Sequence, residues 1–330
     1  MIIVPPREQT DMSSRSSREQ TADAFRFGGH QTFPLRIAWL PKVAKGLSEG
    51  RDVLGSVLDG VVTLGLGKNM VEALRCWADA YGVAFRDTTG WRLTDEGDAI
   101  FGPNGHDRYL EDVQTLWWLH WKISTQEPGR FFAWELLFNR WNDPTFTASA
   151  VLSAFAKEAE RSGRSLSEVS LKQHFDVWLR TYCTPRGGRL GEDGLDCPLT
   201  SLGLIRPAGE LEGLGRREPV YGFDLSPKRA ISQALFRYCL MAWWEARSGN
   251  EDTIPFHQVV SEPGSPGRVF RMPESELRSR LEMLGRVDAE IRLVESLNQQ
   301  QLRRIRNFPP IAHRLATIYS PEAVKRAAHA

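Results

Sequence analysis

The sequence has few cysteines, no long apolar run and almost no net charge, and each of these features argues against a class of protein. Its four cysteines lie far apart and form no CxxC pair, which argues against a zinc knuckle or a disulfide framework. No apolar run approaches the roughly 20 residues that a membrane-spanning helix needs. A formal net charge of +1 leaves nucleic-acid binding open, because a local basic face is sufficient for it.

Familiar catalytic and targeting motifs are absent as well. The sequence contains no Rossmann fingerprint, no HExxH motif and no visible Ser/His/Asp triad. The stretch GLGKN at 65–69 is not a Walker A motif, which has four residues between its glycines and Ser or Thr after the lysine. The N-terminus lacks the basic flank, full apolar core and cleavage site of a signal peptide. We therefore expect a cytoplasmic protein with no membrane partner.

The composition is that of a globular protein with unusually clustered aromatic residues. Of 330 residues, 41% are hydrophobic and 25% charged, and this length predicts two or three domains. Several of the 11 tryptophans are close together in the middle of the chain. We expect them to form a buried core, with stacking on unpaired bases as the alternative. The cluster consists of Trp117, Trp118, Trp121, Trp134 and Trp141.

Residues 25–101 predict a winged-helix DNA-binding domain. A helix begins at Lys68, after a glycine turn, and its apolar residues are spaced as on one buried helix face. Extended runs around 83–85 and 91–93 flank the turn 87–90, which has the composition of a hairpin turn. A helix followed by a β-hairpin commonly places that helix in a DNA groove. The alternative is a helix–hairpin unit that packs a core and contacts no DNA.

Candidate DNA contacts lie on and before this helix. Lys68, Glu72 and Arg75 are spaced to share its solvated face. The helix N-terminus and Lys68 can hold one backbone phosphate, and Asn69 can add a hydrogen bond to a phosphate or a base edge. Arg36 can make a bidentate phosphate contact. We predict DNA binding by Arg36, Lys68, Asn69 and Arg75.

The rest of the chain predicts a mainly α fold with a minor β component. Residues 1–24 have the composition of a disordered tail. Residues 102–250 predict a helical domain with a loop-rich stretch at 184–223. Residues 251–330 predict a C-terminal winged-helix-like domain.

The C-terminal domain has a helix over Pro273–Leu284, where Arg278, Arg280 and Arg286 supply basic character. The alternative to DNA contact is a helix whose ion pairs, Glu274–Arg278 and Glu276–Arg280, stabilise it internally.

Two groups of residues are candidates for chemistry. His30 lies in the glycine-containing run FGGHQTFPLR and titrates near neutral pH, so it can serve as acid, base or ligand. A cap or a hydrogen bond at the edge of the core is the alternative. Glu111 and Asp112 stand at a predicted helix start. They are candidate catalytic residues and ligands for Mg²⁺ or Mn²⁺ in phosphodiester hydrolysis, or they simply interact with the helix dipole.

Several motifs together resemble a known family. These are FGGHQTFPLR, the LGLGKNM turn, the LT-x-x-G end of the hairpin, YLEDVQTLWWLHW and LDCPLTSLGLI. They are similar to the SspB-like family of domains of unknown function, found in bacterial DNA phosphorothioation and phage-defence clusters. The family motif more often has Glu after the His, where this chain has Gln31. If that carboxylate were a metal ligand, the substitution would affect activity.

The resemblance implies a DNA-nicking endonuclease that binds double-stranded DNA. It also implies that the protein works with a cysteine desulfurase, an ATPase and an ATP-pyrophosphatase-like protein to insert sulfur into the DNA backbone. We therefore expect DNA binding with metal-assisted nicking. The alternatives are a non-catalytic DNA-binding subunit or transcriptional regulator, and a protein-interaction scaffold of the modification complex.

Overall fold

Helices make up about half of the chain in the computed structural model, and the strands form small sheets. The expected mainly α fold with a minor β component is therefore confirmed. In the described part of the chain, no helix is long and apolar enough to cross a membrane. The predicted tail at 1–24 lies outside the described residues. These are 28–163, 166–183, 197–213, 216–248, 251–288, 290–296 and 299–320.

The N-terminal unit is three helices, a hairpin and a fourth helix. Its elements are α1 (Trp39–Ser48), α2 (Val57–Leu64), α3 (Lys68–Ala80), β1 (Ala84–Asp87), β2 (Gly90–Leu93) and α4 (Asp95–Phe101). Pro41 lies in the first turn of α1, where its missing N–H breaks no helical hydrogen bond, so it does not interrupt the helix. Ser56 caps α2 by accepting the N–H of Asp59, and Gly65 ends α2 in the left-handed conformation with φ 65°.

The predicted solvated face of α3 is only partly exposed. Lys68 is exposed in the first turn, but Glu72 and Arg75 are half-buried. The reason is a loop before α1 that covers the helix. The indole Nε1 of Trp77 donates to the backbone oxygen of Phe33 at 3.0 Å, which holds the loop against α3. Only the first turn of α3 is therefore free to enter a groove.

The hairpin is joined to α4 by a close backbone approach. The Thr94 hydroxyl donates to the backbone oxygen of Gly82 at 2.6 Å and accepts the N–H of Gly97 at 2.9 Å. A Cβ at Gly97 would lie 2.0 Å from the backbone oxygen of Val83. Only glycine fits there, which explains the LT-x-x-G motif.

The central region is helical around a three-stranded sheet. Helix α6 (Phe132–Trp134) continues directly into a π-helical segment, Glu135–Arg140. The other elements are α5 (Val113–Ser124), α6 (Phe132–Trp134), β3 (Thr145–Thr147), α7 (Ala148–Arg161), α8 (Glu168–Tyr182), a 3₁₀ turn (Pro198–Leu202), β4 (Ile205–Gly213), β5 (Arg216–Phe223) and α9 (Gln233–Ser248). The interpretation of 184–223 as loop-rich is wrong for β4 and β5, which form a long antiparallel hairpin. Residues 184–196 lie outside the described part.

The tryptophan cluster is core, as expected. Trp117, Trp118, Trp121 and Trp134 are each at most 3% exposed, and Trp141 is half-buried. The rings of Trp117, Trp121 and Trp134 pack against other aromatic side chains rather than forming an open platform for bases. The alternative of a stacking surface for unpaired bases is therefore not supported at these positions.

The C-terminal unit combines a three-stranded sheet with short helices. Its elements are β6 (Thr253–Pro255), α10 (Phe256–Ser261), α11 (Pro266–Val269), α12 (Glu274–Val287), β7 (Ile291–Ser296) and β8 (Gln299–Arg304), followed by α13 (Ile311–Ile318). The sheet has the order β6–β8–β7 and is antiparallel. Both expected ion pairs of α12 form, Glu274–Arg278 at 3.1 Å and Glu276–Arg280 at 2.8 Å.

One continuous cluster of buried apolar side chains runs from Leu35 to Ile318 among the described residues. Helix α13 packs against both α4 and α9, so the C-terminal end of the described chain returns to the N-terminal unit. The predicted boundaries at 101/102 and 250/251 stay predictions.

Candidate functional site

His30 is fully buried in a hydrogen-bonded network between α3 and α8. Its Nε2 lies 2.8 Å from Nδ1 of His174, and its Nδ1 lies 2.9 Å from the backbone oxygen of Gln31. Its ring stacks on those of Trp77 and His174, at centroid distances of 5.7 and 5.0 Å. Both ring nitrogens are thus occupied, and the side chain is 0% exposed.

The hydrogen bonds assign the proton on each ring. The backbone N–H of Ala133 donates to Nε2 of His174 at 3.1 Å, so that nitrogen carries no proton. His174 must then carry its proton on Nδ1 and donate it to Nε2 of His30, which in turn donates from Nδ1 to Gln31. Burial lowers the pKa of His30 to about 4 and that of His174 well below its usual value. This environment supports a packing role for His30, and its predicted catalytic role stays a prediction.

Gln31 occupies the position at which the family motif more often has Glu. Its backbone has φ 52°, an uncommon conformation for a residue with a side chain. Its side-chain amide donates to Glu72 on α3 at 2.8 Å, and its backbone oxygen accepts from Gln173 on α8 at 2.7 Å. A glutamate here would place its carboxylate against that of Glu72. Gln31 therefore suits a loop that bridges α3 and α8.

Arg36 follows the same loop and lies among aromatic rings. Its guanidinium carbon is 5.8 Å from the ring centroids of both Phe33 and Trp39. Such cation–π contacts hold a guanidinium in place. The DNA contact predicted for Arg36 is untested.

The first turn of α3 is an open helix N-terminus. Gly67 provides no side chain to cap it, and Lys68 and Asn69 are exposed. Unpaired N–H groups at such an end attract anions, and the helix dipole adds to that attraction. The Nζ of Lys42 on α1 donates to the backbone oxygen of Leu64 at 3.1 Å, which ties this turn to α1.

Arg75 lies two turns further along α3. Its Nε and Nη2 are buried and have no hydrogen-bond partner. A buried guanidinium nitrogen without a partner costs free energy, and an oxyanion would satisfy it. As a whole, the Arg75 side chain is half-buried.

Glu111 and Asp112 stand at the end of a tightly bonded turn, which we call the Asp107 loop (residues 107–112). The Asp107 carboxylate accepts the backbone N–H of Glu111 at 2.8 Å and of Asp112 at 3.0 Å. Within this loop, directly before Glu111, Leu110 is buried and has φ 61°, a strained conformation for a branched side chain. Asp112 caps α5 by accepting the N–H of Gln114 at 2.8 Å. The interaction with the helix start, expected as the alternative, is therefore present.

The two predicted metal ligands are an incomplete set by themselves. Glu111 is exposed, whereas burial raises the pKa of the half-buried Asp112, with a further rise from the neighbouring Asp107 charge. Within the described ranges, no group of three or more His, Cys, Asp or Glu side chains could hold a metal ion. Mg²⁺ keeps several waters and often binds through one or two carboxylates plus substrate phosphates. Glu111 and Asp112 fit that kind of site rather than an all-protein cage.

A pocket that the sequence did not predict lies between α1 and the Asp107 loop. We call it the α1 pocket. It has a volume of about 370 Å³ and a largely apolar wall with cations at its rim. Its lining residues are Ile37, Ala38, Pro41, Lys42, Lys45, Phe101, Arg108 and Tyr109. The only sequence signal was the one-turn spacing of Lys42 and Lys45 on α1, which is equally typical of a solvated helix face.

The structure brings some predicted residues together and separates others. The bond from Lys42 to Leu64 ties the turn before Lys68 and Asn69 to α1, and Glu111 and Asp112 follow Tyr109 in the Asp107 loop. His30 instead belongs to the packed layer between α3 and α8.

The whole fold is similar to known structures. Two crystal structures of SspB match with TM-scores of 0.75 and 0.73 and with 24% and 25% sequence identity; the first has a magnesium ion bound. Each match covers 94% of this chain and 98% of the other chain. No curated protein sequence matches this chain. A model of a protein family of unknown function, DUF4007, matches residues 27–319. The chain therefore belongs to the DUF4007 family, and the expected relationship to SspB-like proteins is confirmed.

Proposed function

We propose that this protein is a cytoplasmic DNA-binding component of a DNA phosphorothioation system, and that it nicks DNA for modification. The similarity to SspB over 94% of the chain supports a place in such a system. The observation that carries DNA binding is the uncapped first turn of α3, where Lys68 and Asn69 are exposed. The proposed partners are double-stranded DNA and the system's cysteine desulfurase, ATPase and ATP-pyrophosphatase-like protein.

We infer that both helix–hairpin units are winged helices. In the N-terminal unit, α2, a glycine turn, α3 and the β1–β2 hairpin follow in the order of that fold. In the C-terminal unit, β6 pairs with β8, and three helices separate β6 from the β7–β8 hairpin. This order supports the assignment, and DNA binding by either unit stays part of the proposal.

The N-terminal unit would bind the DNA backbone mainly with the end of α3. The N–H groups of the first turn and Lys68 face one phosphate, and Asn69 adds a hydrogen bond. Arg75, which is half-buried two turns further along α3, is the candidate for a second contact and would have to turn outward to reach a phosphate. Arg36, held by its aromatic neighbours, is a third cation before α1.

Nicking requires chemistry at a phosphodiester, and Glu111 and Asp112 are our candidates. A bound Mg²⁺ would polarise a phosphoryl oxygen and lower the pKa of a bound water. The SspB crystal structure with a magnesium ion supports Mg²⁺ in this family, and Mn²⁺ is the usual substitute in an assay. The Asp107 carboxylate holds the backbone of both candidates in place. His30 has no accessible ring nitrogen in this conformation, so we assign it no step.

A second candidate function has its own support. Leu58 and Val62 lie one turn apart on α2 and are 77% and 84% exposed. Large apolar side chains that are exposed together favour a protein-binding surface. A scaffold of the modification complex would use this face of α2, with or without DNA binding.

A supercoiled-plasmid assay tests the lead function. The wild-type protein should produce open-circular DNA with Mg²⁺ or Mn²⁺ and none with EDTA. A Glu111→Gln, Asp112→Asn double variant should lose this activity while keeping DNA binding. Lys157→Glu, at an exposed position on α7, is the control and should behave as wild type.

The outcomes separate the candidate functions. If highly purified wild-type protein gives no open-circular product, the nicking proposal is wrong. Retained binding in a gel shift would then favour a non-catalytic DNA-binding subunit or regulator. Loss of binding as well would favour the scaffold.

A further inference from the structure

We propose that the α1 pocket holds one unstacked nucleobase of a DNA strand while Lys42, Lys45 and Arg108 hold the adjoining phosphates. This inference rests on the DNA-binding function proposed above. It names the part of the DNA that this surface takes, a single unpaired nucleotide rather than the duplex backbone.

The walls of the pocket suit the face of a base. Tyr109 is 63% exposed and Ile37 is 47% exposed, so two large apolar groups border the opening. Every base has an apolar π-face that stacks on an aromatic side chain. The volume of about 370 Å³ lies at the small end of pockets for compact ligands. It accommodates one nucleotide and is too small for a duplex or a helix.

The rim carries the charge that a nucleotide needs. Lys42, Lys45 and Arg108 form no ion pair with an acidic side chain of the described residues. Lysine is depleted in the centres of protein–protein interfaces but is a common point charge for phosphates. The combination of lysines around an apolar floor therefore favours a nucleotide over an apolar peptide.

The loop that carries Arg108 and Tyr109 is held in a fixed shape. The Asp107 carboxylate closes the loop by accepting two backbone N–H groups. Leu110 is buried at 2% exposure with φ 61°, which anchors the loop directly after Tyr109. Both side chains are thus presented at the pocket without the loop having to order on binding, and strain of this kind is typical of functional loops.

One hydrogen bond links the pocket to the turn before α3. Lys42 lines the pocket and also donates to the backbone oxygen of Leu64, four residues before Lys68. In this proposal, a strand bound at the N-terminus of α3 also reaches Lys42, and its unstacked base enters the pocket.

Binding of matched oligonucleotides tests this inference. Fluorescence anisotropy would be measured with the full chain on a duplex and on two single-stranded hexanucleotides, one with a single thymine and one with only abasic residues. The number of phosphates is the same in both strands. We expect the wild-type protein to bind the thymine strand about tenfold more tightly than the abasic strand, the size of one stacking contact.

Variants separate the contribution of the base to binding from the contribution of the phosphates. Tyr109→Ala should bind both hexanucleotides equally and the duplex within twofold of wild type, and Tyr109→Phe should restore the preference for thymine. Lys45→Glu should weaken the binding of both strands, whereas the control Lys157→Glu should weaken the binding of neither. Tyr109 is exposed, so its replacement leaves the core intact.

Two results would overturn the inference in distinguishable ways. If the wild-type protein binds the duplex but does not prefer the thymine strand, the pocket holds no base and the proposed DNA-binding function stands. The same conclusion follows if the preference survives Tyr109→Ala. If the wild-type protein binds neither duplex nor single strand, both proposals are wrong.

Discussion

The two helix–hairpin units of this protein differ in which element has its arginines paired with carboxylates. In the N-terminal unit the hairpin is paired, since Arg92 lies 3.3 Å from the Asp87 carboxylate, while Lys68 at the end of α3 is exposed. In the C-terminal unit Arg278 and Arg280 of α12 bind carboxylates four residues earlier, and among the arginines of this helix only Arg286, in its last turn, is exposed.

The C-terminal hairpin shows the reverse arrangement. Arg292 on β7 stands directly opposite Arg303 on β8, and both are exposed. Opposed like charges on a sheet destabilise it. Element order alone therefore does not decide which surface of such a unit attracts an anion. The local ion pairs decide which surface attracts an anion. They leave a helix end available to an anion in the N-terminal unit and a hairpin face in the C-terminal unit.

The units also differ in how their long helix is held. Helix α3 is covered by the loop that carries His30, which also bonds to α8, and only its first turn is exposed. In helix α12 the Glu274–Arg278 pair lies on the outer face, whereas the Glu276–Arg280 pair is largely buried and bonds to the backbone of Lys228. The N-terminal unit thus holds its long helix through a buried histidine pair, whereas the C-terminal unit uses the ion pairs of Arg237 with Asp288 and Glu290, and this difference can be tested.

The largest effect should come from removing the histidine that covers α3. His30→Ala leaves a cavity and an unpaired Nδ1–H on His174, so we expect a loss of about 3 kcal/mol in unfolding free energy. Urea denaturation measures it. His257→Ala, at an exposed position on α10, is the control in the other unit. Equal midpoints for the two variants would contradict the proposed role of His30.

Acid should weaken the same network. Burial lowers the pKa of His30 to about 4 from an ordinary value of 6.5, and it lowers the pKa of its partner His174 well below that value. Between pH 6.5 and pH 4 the unfolded chain binds more protons than the folded one. The free energy of unfolding therefore falls as the pH drops through this range. Urea midpoints measured across this range should decline for wild type and less steeply for His30→Ala. An identical slope in the two would contradict the assignment.

An intermediate effect should separate the two long helices in DNA binding. Lys68→Ala should weaken duplex binding about fivefold and reduce the salt dependence by about one counterion, because one phosphate contact is lost. Arg278→Ala should change affinity less than twofold, since its guanidinium is already paired with Glu274. Titrations at several salt concentrations measure both. A larger loss for Arg278→Ala would reverse the comparison.

The smallest effect should be a gain in stability. Arg303→Ala removes the charge opposite Arg292 and should stabilise the protein by about 0.5 kcal/mol at low salt. The gain should shrink as salt screens the repulsion. Arg86→Ala on β1, where the partner across the strand is Trp91, is the matched control and should give no such gain. A stabilisation independent of salt would point to a different cause.

Local signals in the sequence predicted the parts of the fold that depend on near neighbours. The spacing of Leu74 and Trp77 predicted α3, and the turn at 87–90 predicted the first hairpin. The hairpin of β4 and β5 was missed, because its glycines and charges are typical of a loop while its pairing with β3 comes from distant residues.

The candidate site was harder to predict for the same reason. His30 binds His174, which is 144 residues away, so no local pattern could distinguish a buried partner from a catalytic group. Lys68 and Asn69 were predicted because exposure at a helix start follows from the preceding glycine turn. The α1 pocket depends on the unusual φ of Leu110, a property that sequence does not specify.

Helix α13 has a consequence for the order in which the chain folds during synthesis. It packs on α4, and the Tyr319 hydroxyl lies 2.9 Å from that of Thr115, 204 residues earlier. The ring of Tyr319 also stacks on His106, next to the Asp107 loop. While the ribosome is still making the central region, the N-terminal unit has no partner for that side. The side of the N-terminal unit next to the Asp107 loop therefore gains its partner only after α13, the last helix of the described residues, has left the exit tunnel.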